Sequence, residues 1–131
     1  MKVATKLSPH FTLREMTKSL TAQRLGIDNN LDPTNEDHIR IIKALNTLCS
    51  VVLEPTREFF LGTPFSPSSG YRSPELNKKI GGSPKSQHML GQAVDFEIPG
   101  VPNIVLARWI RDNLRFDQLI LEHFVKGDPI S

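Results

Sequence analysis

The sequence predicts an α+β fold in which helices pack around a small antiparallel sheet. Apolar residues recur at helical spacing between 41 and 52, which predicts one long helix. Apolar and polar residues alternate over 93–98 and again over 116–123, which predicts two β-strands. The chain has 131 residues, of which 38% are hydrophobic and 23% are charged, and these values predict a single globular domain spanning 1–131.

The first helix is predicted to begin after Thr12. Thr12 suits the N-cap position, and Glu15, three residues later, completes a capping box. A second short helical turn is expected over 21–25, where Gly26 ends it. The polar segment 28–33 is interpreted as a connector.

The longest helix is predicted to begin at an N-cap on Thr34. Its apolar side consists of Ile41, Ile42, Leu45, Leu48, Cys49 and Val52. Pro55 predicts a kink or break, followed by a second segment over 56–61 that ends at Gly62. Cys49 is the only cysteine and lies among apolar residues, so we expect it to pack in the core.

The middle of the chain is predicted to be an extended segment over 64–69 followed by a helix. Ser73 suits the N-cap of that helix and Pro74 suits its first position. Arg72 therefore lies at a strand-to-helix junction, where its long cationic side chain can reach across a cleft. The alternative interpretation of Arg72 is a surface ion pair of little energetic value.

Asn103 is predicted to cap the last helix. The apolar side of that helix carries Leu106, Trp109, Ile110 and Leu114. The final strand over 116–123 places Glu122 on one face and His123 on the other.

His88 and Asp95 are the candidate metal ligands. Gly91 allows the chain to turn after the histidine, and alternation over 93–98 directs Asp95 away from the apolar face. A loop imidazole and a strand carboxylate that meet at one point would form half of a zinc site. Such a pair also occurs by chance in soluble proteins, so the spacing by itself leaves both interpretations open.

Two motifs in this order resemble peptidase M15, the D-Ala-D-Ala peptidase family, whose fold is shared with the signalling domain of hedgehog proteins. The zinc-binding signature of that family is matched by Ser86-x-His88-x-x-Gly91-x-Ala93-x-Asp95. The upstream motif is matched by Ser69-Gly70-Tyr71-Arg72-Ser73-Pro74. The opening over 7–13 is similar to the phage and prophage branch, and the resemblance extends to about Glu122.

This resemblance implies a hedgehog/DD-peptidase-like fold and a zinc-dependent peptidase that hydrolyses peptidoglycan stem peptides. The bond would be that of a D-Ala-D-Ala carboxypeptidase or of an endopeptidase. His88 and Asp95 would bind zinc, and Arg72 would bind a substrate carboxylate. Glu122 would act as the general base and then as the general acid.

Two further residues are candidates for substrate binding. Ser86 is expected to hydrogen-bond substrate or support a ligand rather than act as a nucleophile, because no histidine-plus-acid arrangement flanks it. Tyr71 is the only tyrosine, and it either packs beneath the site or hydrogen-bonds within it.

A catalytic zinc takes three protein ligands, and the third is not evident in this sequence. The resemblance implies a histidine in a Trp-Val-His type string after the acid, and no such string occurs up to Ser131. His123 is the only histidine after Asp95, but it faces away from Glu122 in a regular strand. We therefore expect that this chain is cut short before the strand that would carry the third zinc ligand. The alternative function is a catalytically inactive cell-wall-binding or phage structural module that retains the fold.

Charge and hydropathy exclude other classes of partner. The net charge of +2 and the lack of a basic run argue against nucleic acid, and no apolar run is long enough for a membrane span. We expect a monomer that is synthesised in the cytoplasm without a signal peptide. Release to the cell wall by a phage-type route would bring it to a peptidoglycan peptide substrate.

Overall fold

The computed structural model describes residues 6–114, so the predicted final strand with Glu122 and His123 lies outside the described residues. The elements are β1 (Lys6–Ser8), β2 (Phe11–Thr12), α1 (Leu13–Thr17), α2 (Leu20–Leu25), α3 (Glu36–Leu48), α4 (Glu54–Phe59), α5 (Pro74–Lys79) and α6 (Asn103–Asn113). A π-helical turn, Cys49–Leu53, joins α3 to α4, and a 3₁₀ turn, Gln87–Leu90, follows α5. Helices around a two-stranded antiparallel sheet confirm the α+β fold class. In this part of the chain, every helix is too short or too polar to cross a membrane.

The sheet lies at the N-terminal end of the described chain. The prediction of a regular strand over 93–98 was wrong. β1 and β2 form an antiparallel hairpin in which Ser8 pairs with Phe11. Segment 93–98 contributes only one isolated bridge, between Asp95 and Ser69. Its partner segment contains two prolines, Pro64 and Pro67, which have no N–H to donate to a ladder.

The two short helices at the start of the chain have the predicted caps. The Thr12 hydroxyl accepts from the Glu15 N–H at 3.2 Å, and the Thr12 N–H donates to the Glu15 carboxylate at 3.0 Å. This reciprocal pair confirms the capping box. Helix α2 begins one residue earlier than predicted, at Leu20, and ends at Gly26 as expected.

Helix α3 is capped by Asn35, so the prediction of Thr34 as the N-cap was wrong. The Asn35 side-chain oxygen accepts from the backbone N–H groups of Asp37 and His38 at 2.9 and 3.1 Å. The Thr34 hydroxyl instead donates to Asp32 at 2.8 Å. Both residue types cap helices well, and the local turn decides between them.

The break predicted at Pro55 takes the form of the π-helical turn. Proline has no N–H for the carbonyl four residues earlier, and its ring clashes with that carbonyl. The Thr56 hydroxyl, which is fully buried, donates to the Val52 carbonyl at 2.6 Å and so satisfies one group in the disturbed turn. Helix α4 then ends at Phe59, near the predicted end at Gly62.

Two hydrophobic clusters support the segments on which the candidate site residues lie. The main core is built from α1, α3, the π-helical turn and the hairpin, and it includes Cys49 at 0% exposure as predicted. The second cluster joins Ile98 to Leu106 and Ile110 of α6. Asn103 is the first residue of α6 rather than its cap, and its amide donates to Glu97 at 3.0 Å.

Candidate metal centre

His88 lies in the 3₁₀ turn, which is fixed at both ends. At its start, the Ser86 hydroxyl accepts from the backbone N–H of His88 at 3.2 Å. At its end, Gly91 has φ = +71°, a conformation that side-chain-bearing residues rarely adopt. A Cβ atom at Gly91 would lie 2.6 Å from the Ile41 carbonyl oxygen, so the turn is pressed against α3. The imidazole is thus carried on a turn whose position is set by the longest helix.

Asp95 is held by backbone bonds to the segment before α5. The Asp95 N–H donates to the Ser69 carbonyl at 2.7 Å, and the Asp95 carbonyl accepts from the Ser68 N–H at 2.9 Å. Its neighbours Val94 and Phe96 pack against the main core, which leaves the carboxylate on the other side of the chain. The predicted alternation of faces therefore holds at this residue, although no ladder extends from it.

The His88 ring and the Asp95 carboxylate come together with their donor atoms facing each other. Nε2 of His88 lies 3.7 Å from Oδ2 of Asp95. Nδ1 of His88 lies 2.7 Å from the Gly70 carbonyl oxygen. A carbonyl only accepts, so Nδ1 carries the proton in this bond and the lone pair of a neutral ring lies on Nε2.

This pair fits two positions of a zinc site. Ligands about 2.1 Å from a tetrahedral zinc ion lie about 3.4 Å apart, and the observed separation of 3.7 Å is close to that value. A histidine that binds metal usually donates its other ring N–H to a carbonyl or carboxylate, as His88 does to Gly70. Within residues 6–114, no group of three or more His, Cys, Asp and Glu residues is placed to hold a metal. The predicted base Glu122 and the alternative ligand His123 lie outside that range.

Arg72 contacts both candidate ligands. Its backbone N–H donates to the His88 carbonyl at 3.1 Å, and its Nη2 lies 3.5 Å from Oδ2 of Asp95. Its Nε donates to the Ser69 hydroxyl at 3.3 Å. These side-chain contacts are long and use two of the five guanidinium N–H groups, so Arg72 keeps donors for an anion.

Tyr71 packs beneath the site. It is 5% exposed, belongs to the main core, and donates its N–H to the Met16 carbonyl at 2.7 Å. Burial, followed by the negative charge of Asp28, raises the pKa of the Tyr71 hydroxyl above its usual value of 10.0. The phenol is therefore neutral around pH 7 and can donate a hydrogen bond.

Two residues that support the site were missed in the sequence. Asn29, placed in a polar connector, is 6% exposed and donates to the carbonyls of Thr17 and Tyr71 at 2.8 and 3.0 Å. Its oxygen accepts from the Ser73 N–H at 2.7 Å, so one amide joins α1 to the start of α5. The Gly70 carbonyl oxygen accepts the hydrogen bond from His88 Nδ1. A Cβ atom at Gly70 would lie 2.5 Å from the Met16 carbonyl oxygen, so this position requires glycine. The only feature of the sequence that indicated this support was the glycine in the 69–74 motif.

Comparison with known proteins identifies the family of this chain. A family model described as Peptidase M15 matches residues 9–125, which is most of the chain. No match was found among curated proteins or among solved structures.

Proposed function

Because the chain belongs to the peptidase M15 family, we propose that it is a zinc-dependent peptidase that hydrolyses peptidoglycan stem peptides. The cleaved bond would be that of a D-Ala-D-Ala carboxypeptidase or an endopeptidase. The observation that carries the proposal is the state of His88: Nδ1 is bound to the Gly70 carbonyl at 2.7 Å, and Nε2 faces Asp95 at 3.7 Å. A ring held in this way supports metal binding through Nε2.

The chain's own residues supply binding, orientation and proton transfer. His88 and Asp95 would hold zinc, which when bound polarises a scissile carbonyl and activates water near neutral pH. Arg72 is adjacent to Asp95 and would bind a substrate carboxylate through its remaining guanidinium donors. Glu122 would accept a proton from the attacking water and deliver it to the leaving amine.

Ser86 and Tyr71 would assist substrate binding. The Ser86 oxygen accepts from the His88 N–H, which leaves the hydroxyl hydrogen available to donate to a substrate carbonyl. Tyr71 would contribute mainly by packing beneath the site, because its ring lies in the main core.

Zinc titration calorimetry on the wild-type chain, His88→Ala and a control His38→Ala tests this proposal. His38 lies in the first turn of α3 and its Nδ1 accepts from the Asp32 N–H at 2.8 Å, so its removal should leave zinc binding unchanged. We expect His88→Ala to weaken zinc binding at least tenfold, since one of few ligands is lost. Equal binding by wild type and His88→Ala would contradict the assignment.

Glu122→Gln separates the catalytic role from metal binding. This variant should retain zinc and stem-peptide binding but lose turnover by a factor of about 100 or more, because the general base is removed. Peptide binding without turnover in the zinc-loaded wild type would instead support an inactive cell-wall-binding module.

A further inference from the structure

A cavity of about 270 Å³ lies beside Arg72. Its wall is formed by the start of α2 with the two residues before it, by the 68–72 segment, and by α5 with the residue after it. Two of the lining side chains, Lys18 and Arg72, are cations, and none of the lining residues is acidic. The cavity therefore has the charge of a site for an anion.

The cavity is adjacent to the candidate metal centre. Ser69 and Arg72 belong to both, since Ser69 accepts from the Asp95 N–H at 2.7 Å and Arg72 reaches the Asp95 carboxylate at 3.5 Å. A peptide bound with its scissile bond near His88 and Asp95 would thus place a neighbouring residue in the cavity.

The cationic groups of the cavity are available to a ligand. Lys18 is exposed, and among residues 6–114 no carboxylate lies within ion-pairing distance of it. Arg72 makes only long side-chain contacts, at 3.3 and 3.5 Å, and is 20% exposed. A bound carboxylate would therefore displace few existing interactions.

Apolar groups complete the wall. Leu20 is 76% exposed and Ile80 is 43% exposed, and both line the cavity. Ser19, Thr21 and Ser68, which carry hydroxyl groups, also line the cavity. An aliphatic chain that ends in a carboxylate matches this combination better than a neutral or a cationic side chain does.

We propose that this cavity is a substrate subsite for a residue with a free carboxylate next to the cleaved bond, and that Lys18 determines its specificity. The inference rests on the proposed peptidase function, because that function supplies the peptide. Lys18 supplies the second positive charge, and Leu20 and Ile80 contact the aliphatic part of the residue.

Binding of two synthetic stem peptides to the full chain tests this subsite. One peptide carries a free carboxylate on the residue next to the scissile bond, and the other has a carboxamide at the same position, which is nearly isosteric. Calorimetry would compare wild type, Lys18→Met, Lys18→Glu and the charge-matched control Lys43→Glu, which lies on α3 and does not line the cavity. Lys18 is exposed, so both substitutions should leave the fold intact.

We expect wild type and Lys43→Glu to bind the carboxylate peptide about tenfold more tightly than the carboxamide peptide. Lys18→Met should reduce this preference to about threefold, and Lys18→Glu should abolish it. Equal preferences in Lys18→Glu and Lys43→Glu, or no preference in the wild type, would overturn the inference.

Turnover of the same peptides distinguishes this inference from the proposed function. A Lys18-dependent preference in a chain that does not hydrolyse either peptide would support the subsite and refute the peptidase. Hydrolysis of both peptides without that preference would support the peptidase and refute the subsite.

Discussion

His88 is the residue on which the site depends, because its two ring nitrogens face different partners. The Gly70 carbonyl accepts from Nδ1, and this bond leaves Nε2 to face Asp95. The motif identified both candidate ligands, since residue types and spacing can be read from the sequence. The Gly70 carbonyl could not be predicted as the acceptor from His88 Nδ1, because many backbone carbonyls could have reached the imidazole ring.

Glu54 shows how a single carboxylate can fasten the N-terminal hairpin. It accepts from the Ser8 hydroxyl at 2.6 Å, from the His10 N–H at 2.7 Å and from His10 Nδ1 at 2.7 Å. Burial acts to raise the pKa of Glu54, but the hydrogen bonds from Ser8 and His10 outweigh it and hold the pKa below the usual 4.5. The folded protein therefore favours the ionised form.

Glu54→Gln should lower the free energy of unfolding at pH 7 by about 1–3 kcal/mol, because hydrogen bonds to a charged group are lost. A depressed folded pKa gives stability that is complete above the unfolded value of 4.5 and is lost as pH falls through the folded value. The difference between wild type and Glu54→Gln should therefore shrink as the pH falls below 4.5. Urea denaturation from pH 3 to 7 measures it, with the exposed Glu58→Gln as a control expected to change little.

Cys49 should be chemically inert in the folded protein. Burial, with smaller effects from Glu54 and Glu15, raises the pKa of its thiol to about 12. At pH 8 the thiolate fraction is then about a thousandfold lower than at a pKa of 9.0, and the side chain is 0% exposed. An aromatic disulfide reagent should react at once in denaturant but over hours in buffer. Rapid reaction of the native chain would show that this part of the core opens.

Among the elements, the 3₁₀ turn has the most direct effect on the position of the candidate metal ligands. It joins α3, through the contact of Gly91 with Ile41, to the segment before α5, through the bond from Arg72 to His88. Caps with a fixed residue pattern, such as that of α1, were predictable because they depend on neighbours in sequence. The sheet was not, since segment 93–98 has the alternation of a strand but its partner segment contains Pro64 and Pro67, which cannot donate to a ladder.

Gly91→Ala should displace this turn. The substitution adds strain at φ = +71° and places Cβ 2.6 Å from the Ile41 carbonyl, a backbone atom that cannot yield easily. We expect a loss of about 2–4 kcal/mol in the free energy of unfolding and weaker zinc binding.

Gly26→Ala is the matched control for this change. Gly26 has φ = +69°, but a Cβ there would meet nothing within 4 Å. Gly26→Ala should lower the free energy of unfolding by only about 1 kcal/mol and leave zinc binding unchanged. Equal effects of the two substitutions in denaturation and calorimetry would show that the contact with α3 has no role.

In the whole molecule, the proposed zinc site would couple metal binding to folding. The candidate ligands lie on two segments that meet only in the folded chain, so we expect zinc to bind the folded state selectively. At a zinc concentration 100 times the dissociation constant, the gain in stability is about 2.7 kcal/mol. For a domain of this size, the midpoint of thermal unfolding should rise by about 10 °C.

Thermal unfolding with zinc, with a chelator and with magnesium measures this coupling. The chelator should reverse the zinc shift, and magnesium, which prefers an octahedral set of oxygen ligands, should cause little change. A zinc shift that persists in His88→Ala would place the stabilising ion elsewhere in the chain.

Zinc-edge anomalous diffraction from crystals of the full chain grown with zinc would show whether His88 and Asp95 bind one zinc ion. The predicted result is one strong peak about 2.0–2.2 Å from both Nε2 of His88 and a carboxylate oxygen of Asp95, with Nδ1 still bound to the Gly70 carbonyl. A peak bound through Nδ1, or one distant from Asp95, would contradict it.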